Sequence, residues 1–511
     1  MRARPDPMPS GPLPALAALV VVLSAPGPLV SPDGLAMRWQ LSEGPLTLLR
    51  SGWPPLWPLL SALADLLLGP RVGAWALGVA CTAGAVLLAA RLGRLLGGPV
   101  AGAGAALLLA LLPTVADHAA VLDARPLGGL LFVATLTLIV GAGAGGRPLQ
   151  AALPLAALAG LCRDEGAVLL PLVVGLGLLA PGLRRRPLGS FLLRAAAWAA
   201  PGLLWRALRA DRLAWEGLWA DWAATWSADD FIALMGPADA PSPVRALALR
   251  AIEAGLEPRP GLLPLLRGAV PGAPALIENG LHVVFGVAGL PWLGLGLGAC
   301  LVAGLVGPGP RALRLLLLGL LVGLTAGLGL LPMAWSQSTA AANLQFLLPL
   351  AAALCFGGLG LLPRAARHAA AGALLLGLGL GAHRNLQAEA APFFVEESDA
   401  ALLAQRWMAA HPPPTGTVWC TWTGRPIVAA AGLRPALIPP RGLGWAPAPG
   451  DGLLVGAIDL SAHTGGRALG VLSDPGWSLR RLSDDSETAP TDRGRAPGAW
   501  FAYFERAPRG R

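Results

Sequence analysis

The sequence predicts an all-α polytopic membrane protein with about eleven transmembrane helices, followed by a small C-terminal extracytoplasmic α/β domain. Three observations lead to this fold class. Apolar runs long enough to cross a bilayer recur from about residue 12 to about residue 382. Only 13% of the 511 residues are charged, whereas a soluble domain has about a quarter of its residues charged. Finally, the arginine clusters between the apolar runs fall in alternate loops, as the positive-inside rule requires.

The apolar runs define the predicted helices in order. The first run follows Arg2 and Arg4 and is interpreted as an uncleaved helix, because many further spans come after it. The predicted spans are 13–30, 72–90, 98–115, 127–145, 149–162, 166–182, 188–205, 281–306, 313–333, 344–362 and 369–383.

The distribution of charge predicts the topology. Alternate loops carry basic residues and are predicted to be cytoplasmic; they hold Arg2 and Arg4, Arg91 and Arg94, Arg147, Arg184 to Arg186, Arg311 and Arg314, and Arg364 and Arg367. The opposite loops hold acids, namely Asp33, Glu43 and Asp65, then Asp117 and Asp123, then Asp164 and Glu165. An odd number of spans places the C-terminal domain outside. The net charge of +9 comes from arginines alone and is interpreted as a topology signal, so no nucleic-acid partner is predicted.

Composition also bears on compartment and cofactors. Glycine (68) and proline (50), with abundant alanine and leucine, suggest a GC-rich bacterial genome and hence a bacterial inner membrane. Four of the five cysteines lie in apolar spans and no CxxC pair occurs, which argues against a disulfide framework or a zinc site. The chain has no P-loop, no dinucleotide fingerprint and no HExxH motif. No cofactor is predicted.

Two predicted outer loops are long. The loop 31–71 contains an apolar stretch, Leu56–Leu68, that is too short to span and is predicted to be an interfacial helix flanked by tryptophans. The loop 206–275 carries four tryptophans at helical spacing, which predicts one aromatic face: Trp215, Trp219, Trp222 and Trp226. That face is either a belt in the lipid headgroups or a platform for a lipid or sugar.

The tail from residue 384 to residue 511 is predicted to be a separate domain. Ser398–Ala410 has a helical pattern, and three short segments have strand patterns: Thr417–Thr421, Leu453–Ile458 and Ala499–Glu505. The segment Ser483–Gly498 is predicted to be a disordered loop because it is rich in Ser, Asp, Arg and Pro.

Polar residues with possible chemistry gather in the predicted outer loops. Asp33 stands between Pro32 and Gly34, where it either accepts a proton from a hydroxyl or caps the helix that follows. The next acidic loop contains Asp117, His118, Asp123 and Arg125. Its alternatives are a local Asp123–Arg125 pair or a polar floor to a cavity that also contains Asp33. Asp33, Asp117 and His118 have suitable ligand types for a metal, but no metal is predicted.

Two later turns offer groups for binding. Arg163 breaks the apolar run between the fifth and sixth spans; it either belongs to a tight turn or faces an anionic headgroup, which a guanidinium binds with two bonds at once. Gln345 follows the neutral polar turn after the ninth span. It could hydrogen-bond sugar hydroxyls, although a plain turn explains it equally well.

This ordered set of features resembles the GT-C superfamily of integral-membrane glycosyltransferases. The resemblance is greatest to the bacterial branch that includes aminoarabinose transferases and protein mannosyltransferases, and it covers roughly residues 13–365. The residues that carry it are, in order, Asp33; Pro54, Pro55, Leu56, Trp57 and Pro58; Pro113; Ala124, Arg125 and Pro126; Leu161, Arg163, Glu165 and Gly166; and Phe346 with Pro349.

The resemblance implies transfer of a sugar from a polyprenyl-phosphate donor to an acceptor hydroxyl on the outer face, with inversion. The acceptor is a lipid, a polysaccharide or a protein. Asp33 matches the first-loop acid of the family, and Asp117 or Asp123 matches the second-loop acid. Arg125 or Arg163 would stabilise the donor phosphate. The candidate substrate-binding residues are His118, Trp53, Trp57 and Gln345.

The chain departs from the family pattern at three places. Gly34 stands where a second acid often follows, Trp53 replaces the usual histidine, and Gln345–Phe346 replaces an Arg-Tyr pair. These departures keep a non-catalytic membrane scaffold as an alternative. A lipid or glycan transporter is the other alternative; it predicts paired broken helices and charges in mid-span, neither of which the sequence shows.

Overall fold

The computed structural model of the chain describes residues 12–25, 27–28, 54–111, 115, 119–143, 148–184, 187–208, 245–247, 319, 348–359, 365, 368, 372, 393–420, 424–438, 446–456, 476–483 and 500–507. The predicted spans 281–306, 313–333 and 369–383, the Trp215–Trp226 face and nearly all of the loop Ser483–Gly498 lie outside the described residues, apart from isolated positions. The number of spans therefore stays a prediction.

The first part of the chain is helical. Its helices are α1 (Leu13–Ser24), α2 (Leu56–Leu68), α3 (Val72–Gly97), α4 (Pro99–Leu111), α5 (Arg125–Gly143), α6 (Leu153–Cys162), α7 (Leu169–Leu179), α8 (Pro181–Arg184), α9 (Leu188–Leu208) and α10 (Leu348–Leu359). Short 3-10 turns, Leu149–Ala152 and Asp164–Val168, lead into α6 and α7. Helix α3 is central, because α1, α2, α4, α5 and α10 all pack against it.

The helices bury small and branched apolar residues between them and turn other leucines outward. Leu23, Leu66, Leu179 and Leu193 are each about three-quarters or more exposed. Such an outward apolar surface is costly in water and matches a hydrocarbon environment. Among the described residues, α3 (26 residues) and α5 (19 residues) are long and apolar enough to cross a membrane.

Several predicted spans are shorter than the sequence suggested. Helix α1 ends at Ser24, where Ala25 turns to an extended conformation (ψ 124°), because the Pro26 that follows disfavours helical geometry at the residue before it. The predicted bound at residue 30 was therefore wrong. With the 3-10 turns that lead into them, α6 and α7 form the apolar helical segments Leu149–Cys162 and Gly166–Leu179. The first has the predicted bounds 149–162, and the second ends three residues before the predicted bound. Neither reaches the length of about 20 residues that a hydrocarbon core of about 30 Å requires.

The predicted interfacial helix is confirmed as a helix with the same bounds, Leu56–Leu68. A tight reversal joins α2 to α3, with Gly69 and Arg71 at positive φ (95° and 69°). The two helices touch backbone to backbone, since a Cβ on Gly73 would overlap the carbonyl group of Ala64. Asp65 Oδ1 accepts the backbone N–H of Ala74 at 2.8 Å, which satisfies one of the free donors in the first turn of α3.

We expect Gly73→Ala to destabilise the α2–α3 hairpin by about 1–3 kcal/mol, because the added methyl group meets backbone that cannot move aside. Gly141→Ala in α5 is the matched control, since nothing lies within 4 Å of that Cβ position; it should be neutral or stabilising by up to about 1 kcal/mol. Thermal melting of the purified protein in detergent checks both. Equal melting temperatures for the two variants would contradict the close approach.

The C-terminal part is an α/β domain. Helix α11 (Phe393–Ala410) and helix α12 (Arg425–Ala430) accompany β1 (Thr417–Cys420), β2 (Arg434–Leu437), β3 (Gly452–Gly456), β4 (Trp477–Leu482) and β5 (Phe501–Arg506). The strands form one sheet in the order β2-β1-β3-β5-β4. Strand β1 is parallel to β2 and β3, whereas β5 is antiparallel to β3 and β4.

A buried carboxylate closes the loops at one end of this sheet. Asp451 Oδ1 accepts the Thr415 hydroxyl at 2.7 Å. Its Oδ2 accepts Trp419 Nε1 at 2.8 Å and the backbone N–H of Ala448 at 2.7 Å. Because a buried carboxylate needs such donors, Asp451 fixes the loop before β3 to β1.

Tyr503 lies in the core between the sheet and α11. Its ring contacts Trp407 at 4.9 Å between centroids, and its hydroxyl occupies the place where a Cβ on Gly452 would stand. That hydroxyl has no hydrogen-bond partner among the described residues. Burial raises the pKa of Tyr503, and the charges of Glu505 and Asp451 raise this pKa further.

We expect Tyr503→Phe to leave the domain equally stable or more stable by up to about 1 kcal/mol, because it removes a buried hydroxyl that lacks a partner. The native domain should also lose stability as the pH rises above about 10. In that range the unfolded tyrosine ionises, while the folded one, with its raised pKa, keeps its proton. Melting curves at pH 8 to 11 check this, and a slope as steep in Tyr503→Phe as in the wild type would contradict it.

Candidate active site

The structure describes four of the predicted site residues: Trp57, Asp123, Arg125 and Arg163. The others lie outside the described residues, and their roles stay predictions: Asp33, Trp53, Asp117, His118 and Gln345. Among the described residues, no group of three or more His, Cys, Asp or Glu side chains converges as a metal site would require.

Asp123 and Arg125 form a buried pair at the N-terminus of α5. Asp123 Oδ1 accepts the backbone N–H of Arg125 at 2.8 Å, an Asx turn that leads into the helix. Its Oδ2 lies 3.3 Å from Arg125 Nε, and the two side chains are 2% and 9% exposed. The local Asp123–Arg125 pair is present, and the other alternative, a polar floor to a cavity that also contains Asp33, stays a prediction because Asp33 lies outside the described residues. The carboxylate thus orients the guanidinium.

Arg163 reaches the same turn of α5 from a different helix. It ends α6, where its backbone is extended (φ −147°, ψ 145°). Cys162 Sγ lies 3.5 Å from the carbonyl oxygen of Ala124. The stem of Arg163 crosses Gly128, because a Cβ there would stand 2.7 Å from Arg163 Cδ. Positions 125 and 128 share a helical face, so Arg125 and Arg163 both lie along the first turn of α5.

The turn that follows Arg163 requires a glycine at position 166. The N–H of Gly166 donates to the carbonyl oxygen of Arg163 at 3.1 Å. A Cβ on Gly166 would overlap the backbone carbonyl of Ala159, so any larger residue would push the turn away from α6. Gly166 therefore sets the position at which Arg163 leaves the helix.

The start of α3 lies beside these residues. A Cβ on Gly78 would stand 2.6 Å from the Ala119 carbonyl oxygen and 3.7 Å from Pro126 Cγ. The beginnings of α3 and α5 and the end of α6 therefore meet at one end of the bundle, which we call the polar end. The C-terminal domain touches this same end, since Ala401 and Ile427 pack with Ala74 and Leu122.

Trp57 is buried. It is only 1% exposed and belongs to the same apolar core cluster as Ala124 and Cys162; its predicted role in substrate binding stays a prediction. The sequence analysis missed Gly128, Cys162 and Leu122. These residues lie on segments that are distant in the sequence and come together only through helix packing. The local sequence pattern around each one therefore does not predict its position at the polar end.

The polar end is suited to bind an anion. Two arginines lie at the first turn of a helix whose dipole favours negative charge at that end. A guanidinium matches phosphate or carboxylate oxygens with two parallel hydrogen bonds. The apolar surroundings strengthen such contacts, because the local dielectric constant is lower than that of water.

The comparisons with solved structures bear on the fold. The chain matches the Archaeoglobus fulgidus oligosaccharyltransferase, tethered with an acceptor peptide, over 96% of this chain and 74% of that chain, with 12% sequence identity and a TM-score of 0.52. The chain shares its overall fold with this oligosaccharyltransferase. At this level of identity the likeness bears on the fold alone, and this fold agrees with the one that the sequence motifs imply.

A second solved structure is similar to a smaller extent. ArnT from Cupriavidus metallidurans, bound to undecaprenyl phosphate, matches over 89% of this chain and 77% of that chain, with 15% identity and a TM-score of 0.44. No protein-family profile matches the sequence, and no curated protein sequence matches it.

We expect Asp123→Asn to be tolerated better than Asp123→Ala. Both variants remove the counter-charge of the buried guanidinium. The amide oxygen of Asn still accepts the Arg125 N–H, whereas Ala also removes this turn hydrogen bond, so Ala should show the full loss of about 3–5 kcal/mol. Melting temperatures of the two variants in detergent check the order. A smaller loss for Asp123→Ala than for Asp123→Asn would contradict the geometry.

Proposed function

We propose that this protein is a membrane glycosyltransferase that moves a sugar from a polyprenyl-phosphate donor to an acceptor hydroxyl, with inversion at the anomeric carbon. The observation that carries the proposal is that the Arg125 side chain and the stem of Arg163 both lie at the first turn of α5, inside a GT-C-type fold. The motif resemblance of the sequence supports a polyprenyl-phosphate donor. The sugar itself is left open.

The arginines would act on the leaving group. In this reaction the acceptor oxygen attacks the anomeric carbon, the bond from that carbon to the phosphate oxygen breaks, and the phosphate keeps the electron pair. Negative charge therefore grows on the phosphate in the transition state, where preformed donors stabilise it most effectively. Arg125 is oriented for this by Asp123, and Arg163 is held by its passage over Gly128.

A carboxylate would take the proton from the acceptor hydroxyl. The candidates are Asp33, Asp117 and Asp123. Asp123 engages both of its oxygens with Arg125, an arrangement that favours a positioning role, since a general base must be within reach of the substrate proton. We therefore propose Asp33 or Asp117 as the base. His118, Trp53 and Gln345 are proposed as substrate contacts.

The proposed setting is the bacterial inner membrane, with a cytoplasmic N-terminus and the polar end facing outward. The extracytoplasmic domain would comprise residues 384–511 and the membrane domain residues 1–383. The contact of Ala401 and Ile427 with the polar end supports placing that domain beside the site. The proposed acceptor is a lipid, polysaccharide or protein that arrives from this side, and membrane lipids surround the outward leucines.

We expect purified protein in lipid to transfer sugar from at least one member of a panel of polyprenyl-phosphate sugars. Asp33→Asn should lower this transfer at least about 100-fold, the usual contribution of a general base. Glu505→Gln is the matched control, because Glu505 belongs to the surface pair with Arg480 in the C-terminal domain, and it should retain wild-type transfer. Radiolabelled product counting gives the readout.

The outcomes separate the alternatives. Unchanged transfer in Asp33→Asn would keep the enzyme and assign the base to Asp117. Failure of the wild type with every donor, in the presence of lipid, polysaccharide and protein acceptors, would reject the glycosyltransferase and favour a scaffold.

A further inference from the structure

The C-terminal domain touches the bundle at the residue next to Asp123. Leu122 (2% exposed), Ala74 and Ala401 form one buried apolar cluster, against which Ile427 packs. Ala401 lies in α11 and Ile427 in α12, so residues from two helices of the C-terminal domain share this cluster with Leu122. None of these four residues carries a polar side chain that could take part in the proposed chemistry.

Trp75 joins this contact to the bundle. Its ring packs against the cluster that contains Leu122 and Ala401, against Ala120 and Val121, and against the core between α1, α3 and α4. The neighbouring residue Ala74 is held in place because its N–H donates to Asp65 at 2.8 Å. Trp75 thus connects the bundle core to the cluster that contains Leu122, and Leu122 is buried in this cluster together with Ala401 of the C-terminal domain.

The backbone leads directly from Leu122 to the buried pair. The N–H of Asp123 donates to the carbonyl oxygen of Val121 at 2.9 Å, a tight turn around Leu122 with little freedom to bend. The Asp123 carboxylate in turn holds both the backbone and the guanidinium of Arg125. Because close-packed interiors transmit displacement, a shift of Leu122 moves the Arg125 guanidinium.

We infer that the C-terminal domain holds the Asp123–Arg125 pair in its productive position through Leu122, which makes Leu122 a positioning residue for sugar transfer. The inference rests on the proposed function. Displacement of a transition-state group by about 1 Å costs on the order of 100-fold in rate. Loosening this contact should therefore lower kcat much more than it raises the KM for the donor.

The contact itself is tested without activity. We expect Leu122→Cys, in purified protein in lipid, to react slowly with a maleimide, because position 122 is enclosed. Adding Ile427→Ala should raise the labelling rate at residue 122 at least about tenfold, whereas adding Leu479→Ala should not, since Leu479 is an exposed leucine on β4. Peptide mass spectrometry reads residue 122 separately from the native cysteines. Equal rates in all three backgrounds would overturn the inference.

The positioning role is tested by kinetics. Leu122→Ala and Ile427→Ala should each lower kcat about tenfold, the double variant should lose little more than either single variant, and Leu122→Met should retain most of the wild-type kcat. Leu479→Ala should behave as wild type. Unchanged kcat in Leu122→Ala, or full additivity with Ile427→Ala, would overturn the inference. Absence of transfer in the wild type would instead reject the proposed function, while the labelling rates would still report on the contact.

Discussion

Carboxylates hold the helix N-termini at the polar end, and the rest of the structure depends on this. A helix leaves its first N–H groups without partners inside the helix, and in apolar surroundings each unsatisfied group is expensive. Asp65 accepts the N–H of Ala74 in the first turn of α3, and Asp123 accepts the N–H of Arg125 at the start of α5. Since five other helices pack on α3, fixing its first turn fixes the frame for the bundle.

The need to satisfy the N–H groups of the helix N-termini also places charged residues at the polar end, where the chemistry is proposed. A carboxylate that satisfies a helix start must lie at that end of the helix, and it then attracts a cation. Asp123 does so with Arg125, and the end of α6 adds Arg163 beside Gly128. The domain formed by α11, α12 and the sheet covers the turn between them at Leu122. The two halves of the chain therefore meet at the group that would bind phosphate.

Much of the helical frame could be predicted from the sequence, because apolar length is a local property. Leu56–Leu68 was predicted with its observed bounds, whereas the early end of α1 at Ser24 depends on Pro26. Strand β2 was missed because it is a four-residue edge strand that contains Pro435, and prolines argue against strands. The Asp123–Arg125 pair was predictable from its spacing as one of two alternatives. The approach of Arg163 to Gly128 was not, since it requires α6 to pack on α5.

The central claim is that the polar end binds the phosphate of a lipid donor, and binding of a polyprenyl phosphate to the purified protein tests it most directly. The affinity should fall at least about tenfold in Arg163→Ala, because a charge-assisted hydrogen bond contributes about 1.5–3 kcal/mol. Arg194→Ala, which removes an exposed arginine of α9, should bind as the wild type does. Equal affinity in all three proteins, or an equal loss in both variants, would contradict the account.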